Sequence, residues 1–116
     1  SLVLLIRQGN RCLLLPGDIE PPGIEPIIAL HRPPDGGVLM APHHGSLAMD
    51  AGPFLHWSQP CWVIVSGGER ADRPEVKSML SVVGSRVIST TEAGAIRVRM
   101  HADGSIETRS YLDDPW

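Results

Sequence analysis

The chain has 116 residues, 42% of them hydrophobic, and carries 13 acidic against 10 basic side chains for a formal net charge of -3. This length and apolar fraction predict one globular domain over residues 1–116 and exclude a disordered chain. The acidic balance excludes tight non-specific binding of nucleic acid through a basic surface, but a nuclease that uses metal ions as its positive charge stays open.

"SLVLLIR" and "RCLLLPG" read as two strands around "QGN", and Gly9-Asn10 between apolar runs is a hairpin signal. Nearly every position of both runs is apolar, which predicts burial on both faces. The run falls far short of the ~18 residues of a membrane span. It has no basic flank or cleavage site, so it is not a signal peptide. Its full strand strength from Ser1 reads as a chain continuing from something longer. The proline-rich "IEPPGIEPIIALHRPP" allows one short helix, from Gly23 to Leu30. "GGVLMAP" is a short strand. "DAGPFLHWSQP" is a short helix with Asp50 as N-cap and Pro60 past its end.

"CWVIVSGG" is a strand ending in a double glycine. "RPEVKSMLSVVG" is the clearest helix, with Pro74 in its first turn, Val76, Met79, Leu80 and Val83 on one face, and Gly84 at its end. "SRVISTT" is a strand. "GAIRVRMHADGSIETRSY" is a hairpin turning at Ala102-Asp103-Gly104, and "LDDPW" is a tail. The order β-β-α-β-α-β-α-β-β-β predicts layered α/β packing with a mixed sheet, helices on one side and a closing hairpin. Cys12 and Cys61 lie in apolar runs and read as buried free thiols.

Three polar sites follow apolar strands: Gly17-Asp18, His43-His44 and Ser66-Gly67-Gly68. If those strands are parallel neighbours, the three sites share one rim, where α/β sheets collect ligands. A carboxylate with imidazoles suits zinc or manganese. Each piece also has a plainer reading. Asp18 can cap the following helix, a histidine after a strand is usually structural, and Ser66-Gly67-Gly68 can be an anion-binding nest or an ordinary turn. His31 and His56 read as incidental. His101-Ala102-Asp103 imitates part of a ligand motif but lies at a hairpin tip.

Taken in order, "CLLLPGDIE", "VLMAPHHGS", "GPFLHWSQP", "CWVIVSGG" and "RPEVKSMLSVVGSRVISTTEAGAIRVR" resemble the metallo-β-lactamase-like domain of the ComEC family, the bacterial channel for DNA internalisation in competence. The resemblance covers nearly the whole chain. It implies the second half of an αββα sandwich whose leading HxHxDH motif is absent here. It implies that Asp18 bridges two divalent metals, zinc or manganese, and that either His43 or His44 is a metal ligand with its neighbour near the substrate phosphate. Ser46, Ser66 and Gly67 are weaker candidates for holding that phosphate.

The departures are Pro16 in place of a threonine, no hydroxyl residues just after "HHGS", and the short loop "GGERADRPEV" without the family's tyrosine and histidine. With so few ligands, metal binding by this chain is expected to be weak or absent and the isolated chain inactive. The resemblance implies part of a metal-dependent hydrolase or nuclease of DNA uptake, held at the bacterial inner membrane within the full protein. The alternatives are a degenerate binding or assembly module, and a fragment of another HHGS-type phosphodiesterase such as one resembling phosphorylcholine esterase. Half a sandwich leaves an apolar sheet face open, which predicts a homodimer.

Overall fold

The computed structural model describes residues 2–19, 21–47 and 50–116. Glu20, the acidic residue of "GDIE", lies outside the described residues, as do Ala48 and Met49 after "HHGS".

Two strands open the chain, β1 (Leu4–Gln8) and β2 (Arg11–Leu15), antiparallel around Gly9-Asn10. Gly9 turns at a φ of 59°, a conformation glycine adopts without a side-chain clash. Three crossovers follow: β2 to β3 (Val38–Met40) through α1 (Pro21–Ile28), β3 to β4 (Trp62–Val65) through α2 (Gly52–Ser58), and β4 to β5 (Arg86–Ser89) through α3 (Pro74–Leu80). The pairs β2–β3, β3–β4 and β4–β5 are parallel, so the five strands lie in the order β1-β2-β3-β4-β5. One helical turn, α4 (Thr90–Ala93), leads to the antiparallel hairpin of β6 (Ile96–Met100) and β7 (Ile106–Ser110). The result is the mixed α/β sheet with helices and a hairpin that the alternating pattern predicts.

The register explains why all three crossover helices share one face. Leu14 pairs with Leu39, Leu39 with Val63, and Val63 with Val87, so these side chains point the same way across the sheet. They pack with Ile24, Phe54, Leu55, Trp57, Val76 and Leu80 from the helices in one core. Phe54, Leu39, Leu55, Val63, Val65 and Leu80 are fully buried.

On the other face Val38 and Ile64 are buried as well, although no crossover helix lies there. The hairpin crosses that face. At its tip Arg11 Nε donates to the Gly104 carbonyl at 3.0 Å, and at its base Trp62 and Ile88 meet Ser110 and Asp113 around a shallow cavity.

Several expectations from the sequence are corrected. Apolar composition predicted burial of β1 on both faces. Leu4, Leu5 and Ile6 are instead 46%, 43% and 52% exposed, because β1 is an edge strand with a neighbour on one side only. Cys61 is exposed rather than buried, since it precedes β4 instead of lying within it. Cys12 is buried, and burial pushes its thiol above the ordinary value against the opposing pull of Arg7. The first helix begins two residues before Gly23, because prolines are compatible with a first turn, and ends at Ile28. Ala51 holds the N-cap position of α2. Asp50 still contributes, accepting the Gly52 N–H at 3.0 Å.

Among the described residues, no helix is long and apolar enough to cross a membrane.

Candidate metal-binding rim

Because β2, β3 and β4 run parallel, their C-terminal ends lie side by side, and the Gly-Asp, His-His and Ser-Gly-Gly turns meet there. The His43 amide donates to the Gly17 carbonyl at 3.0 Å, which stitches the second turn to the first. Gly17 makes its own turn at a φ of 62° and exposes Asp18.

The histidine turn has an uncommon backbone. His43, His44 and Gly45 have φ of 53°, 55° and 74°, three left-handed residues in succession inside the 3-10 turn Pro42–Gly45. Non-glycine residues visit this region at a cost of roughly 1–2 kcal/mol each. Histidine is among the more tolerant. Gly45 is required for a further reason. A Cβ there would lie 3.0 Å from Val76 Cγ1 and 3.1 Å from Val65 Cγ1, so the turn is pressed onto the core.

This backbone sets the two rings differently. His43 is half-buried. The His44 side chain is 68% exposed, and a hydrogen bond at one ring nitrogen sets its orientation. Its Nδ1 lies 2.8 Å from the Ser66 carbonyl oxygen, an atom that can only accept. Nδ1 therefore carries the hydrogen of this bond, and in the neutral ring the lone pair falls on Nε2. Nε2 faces Asp18 Oδ1 at 3.7 Å. A cation shared at the zinc bond lengths of about 2.0–2.2 Å and a tetrahedral angle needs these atoms about 3.4 Å apart. A small rotamer adjustment closes that difference. A carbonyl that fixes the tautomer of a ligating histidine is the usual outer-shell arrangement.

The donor set stops there. Among the described residues, no group of three or more His, Cys, Asp or Glu side chains converges on one point. Asp18 and His44 suit one edge of a metal centre but fall short of the three protein ligands of a catalytic zinc.

The Gly67 amide is already engaged within the protein. The Gly67 N–H donates to Thr90 Oγ1 at 3.1 Å, and the Gly67 carbonyl accepts from Thr91 Oγ1 at 2.9 Å. Gly67 serves close packing, since a Cβ there would lie 2.9 Å from the Ala71 Cβ. The Ser66 contribution to His44 is its backbone carbonyl. Ser46 is half-buried, and its amide donates to the His43 carbonyl at 3.1 Å.

Beneath this loop lies a charged ring that sequence inspection does not reveal. Ser89 donates to Asp72 at 2.8 Å, Lys77 contacts Asp72 at 3.3 Å and Glu92 at 3.1 Å, and Ser89 and Glu92 form a capping box that starts α4. The Ser89 hydroxyl, with Lys77 behind it, holds the Asp72 carboxyl below its ordinary value. Glu92 first, and Asp72 as well, raise the Lys77 ammonium. The signal for the box is Ser89 followed three residues later by Glu92.

His101 and Asp103 are accounted for within the hairpin. His101 Nε2 lies 2.7 Å from Glu107, and Asp103 accepts from Ser105.

A cleft of about 380 Å³ opens beside the rim, lined by His43, His44, Gly45, Ser46, Arg70 and Arg73 among others. Sequence reading passed over the two arginines, although both stand in the short loop after Ser66-Gly67-Gly68.

Comparison with curated proteins finds a relative: the chain is 31% identical over 103 residues to ComE operon protein 3 of Bacillus subtilis (strain 168). The match covers 85% of the chain and 13% of that protein, so the chain spans a small part of its relative's length. This supports a link between the chain and the competence family. No family model matches the chain. No solved structure matches it.

Proposed function

We propose that this chain is the second half of a metallo-β-lactamase-like domain. In this reading it supplies one wall of a two-metal, phosphodiester-hydrolysing centre that acts on DNA during uptake. The observation that carries the reading is the Asp18–His44 pair, with Nε2 of His44 turned toward the carboxylate at 3.7 Å by the Ser66 carbonyl. The relation to ComE operon protein 3 and the sheet-plus-hairpin architecture support it.

Asp18 and His44 are then the metal ligands, and His43, Ser46, Ser66 and Gly67 lie on the phosphate side. Bound zinc or manganese would polarise the phosphodiester and activate water. The chain's own residues set the donors: Asp18 brings the negative charge, the Ser66 carbonyl fixes the His44 tautomer, and Gly45 seats the turn on Val65 and Val76. Two donors imply weak metal binding and no hydrolysis by the isolated chain. Within a longer protein the missing ligands come from other segments, and other segments hold the domain at the inner membrane.

Calorimetric titration with zinc tests this. Weak binding that disappears in both His44→Ala and Asp18→Ala, and persists in His43→Ala, is the expected result. Zinc binding indifferent to Asp18 and His44 would overturn the assignment.

The same reading includes a homodimer through the apolar sheet face left open, to which β1 contributes the exposed Leu4, Leu5 and Ile6.

A further inference from the structure

The cleft beside the rim is lined by two cationic side chains that pair with nothing among the described residues. The chain has nine arginines; the side chains of Arg7 on β1 and Arg99 on β6 are unpaired among the described residues but lie away from the rim. Arg11 donates to the Gly104 and Asp35 carbonyls, Arg32 to the Trp57 carbonyl and the Asp35 carboxylate, and Arg109 to the Asp114 carbonyl. Arg86 and Arg97 lie over the Trp62 and Trp116 rings. Arg70 and Arg73 make no hydrogen bond, ion pair or ring contact among the described residues, and both line the cleft with His43 and His44.

Their backbone is nevertheless fixed. Arg70 lies in the 3-10 turn Glu69–Asp72 and Arg73 follows directly. Side chains three apart on such a turn fall on one side. Ala71 between them is buried under Gly67, and Asp72 is held by Ser89 and Lys77. The Arg73 carbonyl accepts from Val76 and Lys77 at 3.1 and 3.2 Å. Two free guanidinium groups thus stand on an anchored loop. A guanidinium presents paired N–H donors that match a phosphate's oxygens.

We infer that Arg70 and Arg73 bind a phosphate of an extended phosphodiester strand, adjacent to the phosphate that faces Asp18 and His44. This rests on the phosphodiester reading for its orientation, but the arginine contact itself requires no metal. Without a cation Asp18 repels an anion, whereas the arginines attract one. Strand binding through them therefore survives a chelator.

The test is fluorescence anisotropy of a short labelled single-stranded oligodeoxynucleotide with the 116-residue chain, in EDTA, across a salt series. Arg70→Ala/Arg73→Ala should weaken binding about tenfold. It should also flatten the slope of log K against log salt by about 0.7 per phosphate released. Arg70→Lys/Arg73→Lys should keep the slope and lose part of the affinity, because charge remains and the paired donors do not. Arg7→Ala/Arg99→Ala is the control of equal charge change, since Arg7 pairs with Cys12 at the opposite end of β2 and Arg99 pairs with Glu107 in the hairpin.

An unchanged slope in Arg70→Ala/Arg73→Ala would overturn the proposal, as would an equal loss in Arg7→Ala/Arg99→Ala. Inorganic phosphate competing as tightly as the oligonucleotide would reduce the site to an isolated oxyanion pocket and overturn the strand-binding claim. Asp18→Ala/His44→Ala separates the two readings. It should abolish zinc binding and keep oligonucleotide binding in EDTA; if zinc binding persists, the metal assignment fails while the arginine proposal still stands on its slope.

Discussion

Replacing Gly45 by alanine tests the claim that the histidine turn is wedged against the core. Two costs combine there. An alanine at a φ of 74° meets the left-handed penalty of roughly 1–2 kcal/mol. About 0.4–1 kcal/mol of that is offset because alanine loses less freedom on folding than glycine. The second cost is crowding: the new methyl would lie 3.0 Å from Val76 Cγ1, 3.1 Å from Val65 Cγ1 and 3.7 Å from Leu80 Cδ1. Overfilling a packed site costs typically 1–3 kcal/mol.

Gly84 isolates the first cost from the second, because its φ is 86° and a Cβ there meets nothing within 4 Å. Gly84→Ala should destabilise by about 1 kcal/mol or less. Gly45→Ala should destabilise by about 2–4 kcal/mol, a large share of the roughly 5–15 kcal/mol typical of a domain. Urea melts of the two variants beside the parent, at equal m-value, measure the difference. Variants that agree within about 0.5 kcal/mol would refute the wedge, since crowding alone separates them.

The Asp72 carboxyl is held below its ordinary value of 3.8, so it binds a proton less readily when folded than when unfolded. Its stabilisation is present above that value and is lost as pH falls through the lower, folded value. Asp72→Asn should flatten the acid limb of stability against pH in urea melts, and an unchanged limb would count against the Ser89–Asp72–Lys77 ring. In the native chain a thiol-reactive dye should label exposed Cys61 at once and buried Cys12 only on unfolding, with the difference read by mass spectrometry. Sedimentation should show a dimer that Ile6→Lys dissociates, because Ile6 is 52% exposed on β1 and a charge there opposes burial of the open face. A parent chain that stays monomeric at micromolar concentration would remove the dimer.

Much of this protein is written in local pattern. Short apolar runs bounded by glycine and proline mark the strands, and the spacing of Val76 and Leu80 marks α3, because these signals act over one or two turns of chain. The order of elements brings Gly17-Asp18, His43-His44 and Ser66 to one rim once the strands are parallel neighbours. Tertiary structure alone settles which ring nitrogen of His44 faces Asp18, since that depends on the Ser66 carbonyl 22 residues away. It alone leaves β1 exposed, because burial depends on which neighbours lie over a strand and not on the strand's composition. It also places Arg70 and Arg73 beside the histidines. A charged loop residue carries no periodic signal, so only the packing of Ala71 beneath Gly67 and the tethering of Asp72 to Ser89 decide where its neighbours stand.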